Sequence, residues 1–332
     1  MKNLLCVCAY VYGTAYQGYI PMYIYSIIKN HPQFHVRIYL DLYLRKDIKR
    51  LLENLDHERF DIIENFGNPY FERNIEKRAQ RWLINDRSLN KFKYIYIGDI
   101  DIYMVDEPNF LKSHIWHMKK SHSIYNNTVR LTIKDFLRGG ARKDERVYLF
   151  RLTGLHFYNN QLYSEKINKE QKRLLWMIEN INKISLCKRI FLKKFILSDD
   201  ERVLWYLVYK SHLKIPHVSY QRYGNCKKCY RPEHGLHMGI GREKKAYEGQ
   251  AEKDIKNGIN SRICEWRDNF KLFLNDYNTD GYLRELINYD IYVQEIVKQT
   301  CAFFGYCLSD TEIYKNQEDS DKWTGIMDLK QK

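Results

Sequence analysis

The chain has 332 residues, 44% of them hydrophobic, with only 6 Pro and 16 Gly, which excludes a low-complexity or broadly disordered protein. That size allows one large core, or one core with a small appended domain. A formal net charge of +14, on 29% charged residues, favours anionic partners such as nucleic acid, anionic lipid or a phosphorylated substrate without choosing among them.

No apolar stretch approaches the length of a membrane span. Residues 4–12 read as a first buried strand. They follow Met1-Lys2-Asn3 but lack a small-residue cleavage site, since Tyr16-Gln17-Gly18-Tyr19 comes next. The expected location is cytoplasmic, with a peripheral place on the inner membrane face left open. Residues 20–29 read as a helix that His31-Pro32 ends. Residues 34–40 alternate as a second strand, 46–55 form an amphipathic helix, and 61–64 a short strand. Residues 74–86 read as a helix with Trp82, Leu83 and Ile84 on its buried side, and 93–97 as the central strand. This alternation predicts an α/β layer with mostly parallel strands, whose ligands bind at the carboxyl ends.

The second half is less regular. Residues 134–146 form a charged loop, and the loop from 131 to 146 is expected to contribute to ligand choice. Residues 147–157 read as a strand pair broken at Thr153-Gly154. Residues 168–194 are a basic helical stretch, and 199–209 a helix with Ser198 as N-cap. Residues 220–245 are a loop rich in Gly, His and Cys. Helices follow to about Cys307, then a polar tail. The expected divisions are 1–250, 251–310 and 311–332: a catalytic domain, a helical C-terminal extension and a polar tail.

Asp99 and Asp101 end the most apolar run, Tyr94-Ile95-Tyr96-Ile97-Gly98. Strand alternation would turn both carboxylates to one face. Their repulsion is relieved by a hard divalent cation with oxygen ligands, which reads as a metal–diphosphate site at a sheet edge. The competing reading is a pair of loop carboxylates capping a helix or meeting an arginine. Asp319-Ser320-Asp321 repeats the spacing in the tail, where it reads as a solvated end.

A second motif is the loop His234-Gly235-Leu236-His237-Met238-Gly239-Ile240-Gly241-Arg242-Glu243-Lys244. Neutral His can ligate a metal, glycines admit a phosphate, and Arg242 or Lys244 can answer its charge. Cys226 and Cys229 make half a zinc site, and reduced thiols are the favoured reading for all eight Cys. The stretches 168–194 and 287–304 read as basic helices that either pack an apolar face on the core or meet an anionic membrane surface.

Four segments together resemble GT-A-fold glycosyltransferases, most closely the family 8 type. They are Ala9-Tyr10-Val11-Tyr12 with the helix after it, Arg81-Trp82-Leu83 leading to Gly98-Asp99-Ile100-Asp101, Leu152-Thr153-Gly154-Leu155, and Ser198-Asp199-Asp200-Glu201. Their order agrees over residues 1–245. The resemblance implies a GT-A (Rossmann-like) mixed sheet flanked by helices, and a hexosyltransferase acting on a UDP-sugar with Mn²⁺ or Mg²⁺, of the retaining type. The acceptor would be a glycan or a lipid-linked molecule in surface polysaccharide assembly. Asp101 would bind the metal, and Asp99 would touch ribose or share the metal. Arg81 would face diphosphate or sugar. Ala9, Tyr10 and Tyr12 would line the base pocket, while Gly154, Gly239, Gly241, Arg242 and Lys244 would help hold the nucleotide-sugar. Asp199 or Asp200 would sit by the anomeric carbon. A third ligand would be His237 or His234, because Met238 stands where the motif has its histidine. The alternative, a basic nucleic-acid-binding protein with a Cys/His zinc module, leaves Asp99 and Asp101 unexplained, and no nucleic-acid partner is expected.

Overall fold

The computed structural model describes residues 4–71, 73–130, 133, 149–216, 235–239, 262–309 and 311–315. Among them, β1 (Leu5–Val11), β2 (His35–Leu40), β3 (Phe60–Ile63) and β4 (Tyr94–Gly98) are parallel, and the sheet runs β3-β2-β1-β4-β7-β6. β7 (His156–Asn159) pairs antiparallel with β4 and with the short β6 (Tyr125–Asn126). This is the expected α/β class, a mixed sheet with helices on both faces.

β1 shows why. Every residue of Leu-Cys-Val-Cys-Ala-Tyr-Val is buried, as a central strand covered on both faces requires. Leu5, Val7, Ala9 and Val11 enter one apolar layer, while Cys6, Cys8 and Tyr10 enter the other. The first layer holds α1 (Tyr19–Asn30) and, from the far end of the chain, Phe270, Phe273, Leu283, Val293 and Val297. The second holds Trp82, Leu83, Leu174 and Leu204. Cys6 and Cys8 are free thiols whose sulfurs lie 3.6 Å apart.

Between the first strands run α2 (Lys46–Leu52), α3 (Asn74–Ala79) and, after the short β5 (Ile102–Tyr103), α4 (Phe110–Ser121). The helix expected over 74–86 stops at Ala79 and tightens into a 3₁₀ turn, Gln80–Leu83. That turn buries Gln80, Trp82 and Leu83. The basic stretch 168–194 is two helices, α5 (Asn160–Glu179) and α6 (Leu186–Lys194). Asn159 caps α5 by accepting from Leu162 N–H at 3.2 Å. α7 (Asp200–Lys210) starts one residue later than expected. Its N-cap is Asp199, not Ser198: Asp199 accepts from Glu201 N–H at 2.9 Å, while Ser198 donates to Phe195 O. Within the strand pair expected over 147–157, the described residues include a bridge from Leu152 to Val129, followed by β7.

The C-terminal part is α8 (Arg262–Thr279), α9 (Gly281–Tyr289) and α10 (Ile291–Phe303), followed by a hairpin of β9 (Tyr306–Leu308) and β10 (Ile313–Lys315). Asp280 and Asp290 cap α9 and α10 through paired backbone N–H groups. Asp290 also meets Arg45 at 2.9 Å, tying these helices to the start of α2.

Candidate functional site

β4 ends at Gly98 and the chain turns through Asp99, Ile100 and Asp101 into β5. The two carboxylates therefore do not share a strand face as strand alternation suggested. The strand is broken between them, and each finds its own partner. The cause lies far along the chain. β5 pairs antiparallel with β8 (Leu236–His237), with Ile102 opposite His237 and Tyr103 opposite Leu236, and Met238 N–H donates to Asp101 O at 2.7 Å. Running along β8 requires a chain that leaves the direction of β4.

This pairing brings His237 Nε2 to 3.6 Å from Asp101 Oδ1. Asp101 is nearly enclosed and His237 part-exposed, so the pair faces outward at a covered edge. Gly235 sets the approach. Its φ is +72°, and a Cβ there would fall 2.2 Å from Tyr103 O, so only glycine fits. Asn269 of α8 donates to Gly235 O at 2.6 Å, and Thr300 of α10 donates to Met238 O at 2.6 Å. The C-terminal helices thus hold the His237 segment against the acidic turn.

The other carboxylate, Asp99, is bonded by Arg81, which also bonds Asp200 at 2.5 Å. Burial opposes the guanidinium charge, but Asp200 and Asp99 outweigh it and raise the Arg81 pKa. The side chain lies over the Trp82 ring, its Cζ 4.4 Å from the ring centre, and beside Gly154, where a Cβ would stand 2.8 Å from Nη2. Asp199 and Glu201 have guanidinium partners of their own. Arg151 meets Asp199 at 2.9 Å, and Arg130 grips both Glu201 oxygens at 2.5–3.0 Å. Burial, with Asp200 behind it, pushes the Asp199 carboxyl pKa up, and burial does the same to Glu201 despite Arg130.

The Gly154 turn is fixed by Asn127. Its Oδ1 accepts from Thr128 N, Thr153 N and Thr153 Oγ1 at 2.6–3.1 Å, and its Nδ2 reaches Thr153 O and His156 Nδ1, both at 3.1 Å. His156 is buried, and burial pushes its pKa down to about 3.

The structure therefore brings together Arg81, Asp99, Asp101, Gly154, Asp199, Asp200 and His237, with Gly239 beside His237. Of the residues expected around the base, Ala9 is fully buried between β2 and β4 and its side chain lines no open surface. Tyr10 is nearly buried, and only Tyr12 is part-exposed, stacked on Tyr16. His234, Gly241, Arg242, Lys244, Cys226 and Cys229 lie outside the described residues. Arg130, Arg151 and Asn127 were not foreseen. Three adjacent acids at 199–201 call for three cations, but their spacing in the chain does not say which. A separate polar cleft of about 340 Å³, lined by Asp86, Arg87, Asn160, Ser164 and Lys172, lies towards the amino end of β4 and is no part of this constellation.

A cation would need oxygen or imidazole donors. Among the described residues no group of three or more His, Cys, Asp or Glu is close enough to hold one. Asp101 and His237 supply two donors of the type that suits Mn²⁺. Gly239 N–H donates to His237 Nδ1 at 3.1 Å, which leaves the ring proton on Nε2, facing Asp101. Ligation through Nε2 needs that proton on Nδ1, and hence the Gly239 contact opened.

The mixed sheet is the one that the alternation of strand and helix predicts, and the acidic turn at the carboxyl end of β4 is pinned by a distant histidine segment. No protein-family model matches the chain, and no curated protein does. Similar solved structures include an active-site mutant of LgtC (TM-score 0.39, 12% identity, 80% of this chain and 99% of that one). S. aureus TarS 1-349 (TM-score 0.36, 12% identity, 90% and 83%) and the apo form of the glycosyltransferase GlyE of Streptococcus pneumoniae TIGR4 (TM-score 0.37, 10% identity, 76% and 51%) are others. Likeness this distant leaves the activity to be argued from the site itself.

Proposed function

We propose that this protein is a glycosyltransferase that moves a hexose from a UDP-sugar to a glycan or lipid-linked acceptor with retention at the sugar carbon. The observation that carries the reading is the Asp101–His237 pair, joined at 3.6 Å by the β5–β8 ladder at the carboxyl edge of the sheet. Asp101 and His237 would hold Mn²⁺ or Mg²⁺, with diphosphate oxygens completing the shell. Bound there, the ion would supply Lewis-acid stabilisation of the departing diphosphate.

The chain's own residues do the rest. Arg81 holds Asp99 and Asp200 in one fixed array, so the turn after β4 and the start of α7 keep their spacing as charge moves. Asp200 presents negative charge next to the sugar while its partner guanidinium limits the desolvation cost. Asp199 and Glu201 are each gripped by an arginine, which suits orientation and charge stabilisation better than proton abstraction from an acceptor hydroxyl. That favours retention, in which a base from this cluster is not needed.

The test is a melting curve. UDP should raise the Tm only when Mn²⁺ is present, by mass action on the folded state. The Asp101→Ala protein should lose that shift. Full metal-dependent stabilisation by UDP in Asp101→Ala would end the assignment. Hydrolysis of a panel of nucleotide-sugars without acceptor identifies the donor, and NMR of the transfer product reads the stereochemistry.

A further inference from the structure

Helix α6 is built inside out. Over its 9 residues the side chain buried in the core is Leu192, while Leu186, Ile190 and Phe191 are 66%, 47% and 48% exposed. At about 100° per residue, Leu186, Ile190, Cys187 and Phe191 fall on one arc of about 140°, and Leu192 lies opposite its centre. The apolar arc therefore points away from the body of the protein, the reverse of an ordinary surface helix. Lys194 interrupts the arc, and Lys193 and Lys188 border it. The segment 180–198 carries Lys183, Lys188, Arg189, Lys193 and Lys194 and no acidic residue.

The other stretch read as basic, 287–304, behaves differently, and it carries Lys298 against Asp290 and Glu295. In α10, Val293, Ile296, Val297, Thr300, Cys301 and Phe303 are buried, and its apolar face is spent on the core. Its exposed apolar residue is Ile291 at the first position, 82% open. The two stretches thus differ in both charge and packing.

We infer that α6 is a docking element for an anionic lipid surface, with Leu186, Ile190 and Phe191 entering the headgroup boundary and the five cations answering its charge. An apolar arc ringed by lysines and free of carboxylates matches that surface. A second copy of the same helix does not match it, because the two cationic faces would repel. Four residues separate α6 from Asp199, so docking would hold the acidic cluster at the start of α7 close to the bilayer. The inference stands apart from the transfer reaction, since its readout is binding.

The experiment is flotation of the full chain with vesicles of phosphatidylcholine alone or mixed with phosphatidylglycerol. The wild type should float with the mixed vesicles, fail to float with phosphatidylcholine alone, and be released by high salt. The variant Leu186→Ser/Ile190→Ser/Phe191→Ser and the variant Lys188→Glu/Lys193→Glu/Lys194→Glu should each bind at least about ten-fold more weakly. Ile291→Ser should bind as the wild type does, and melting curves should show all three variants folded. Absence of binding to mixed vesicles, or equal loss in Ile291→Ser, would overturn the inference. So would a wild-type dimer in light scattering that the apolar variant converts to monomer, since α6 would then be a protein interface.

Discussion

Two acidic clusters meet at Arg81 and are held in different ways. At the start of α7, Asp199, Asp200 and Glu201 each have a guanidinium: Arg151, Arg81 and Arg130. In the turn after β4, Asp99 shares Arg81, but Asp101 faces an imidazole at 3.6 Å, a distance too long for a hydrogen bond. A carboxylate matched by a buried guanidinium is fixed in charge and place. Asp101 instead meets a histidine ring brought in by the β5–β8 pairing. The first cluster is thus held by guanidinium groups, and the second joins a guanidinium to an imidazole.

The comparison breaks most visibly at the arginine that joins the clusters. Arg81→Met leaves buried Asp200 without its partner and should cost about 3–5 kcal/mol in urea unfolding, with activity lost as well. A loss below about 1 kcal/mol would mean that Asp200 reaches water. Asp101→Asn should do the opposite. Donor hydrolysis should fall on the order of a hundred-fold while the unfolding midpoint stays close to that of the wild type. Equal losses of stability in the two variants would erase the distinction between the clusters.

Gly154→Ala sharpens the picture at smaller scale. The new methyl would meet Arg81 Nη2 at 2.8 Å, so it should move the guanidinium and cost about 1–3 kcal/mol. Combined with Arg81→Met, the alanine should cost much less, and a double-mutant cycle measures this coupling. A further effect is on pH. Burial lowers the His156 pKa from the ordinary 6.5 to about 3, so between those values the unfolded chain takes up a proton that the folded protein refuses. The contribution is complete above about 6.5 and is lost as the pH falls towards 3. His156→Phe should flatten the acid side of the stability profile by up to one proton. An unchanged slope would show that His156 protonates in the folded state.

Much of the fold was legible. The unbroken burial of residues 5–11 follows from a run with no charge, and the parallel strands follow from their alternation with helices. The motif residues were legible as candidates because Asp after an apolar strand is costly without a partner. The partners were not. Arg151 and Arg130 sit 48 and 71 positions from Asp199 and Glu201 in the chain, and nothing local distinguishes them from the other basic residues. Nor did the alternation of a strand reveal the turn at Asp99, because that turn answers to β8, far downstream.

By itself the sequence determined the layered α/β class, the two acidic motifs and the histidine segment, since these depend on local polarity and periodicity. Only the tertiary structure decided which carboxylate meets arginine and which meets His237, and which helix spends its apolar face on the core. Those outcomes depend on side chains distant in the chain competing for the same space and charge, which no local pattern encodes.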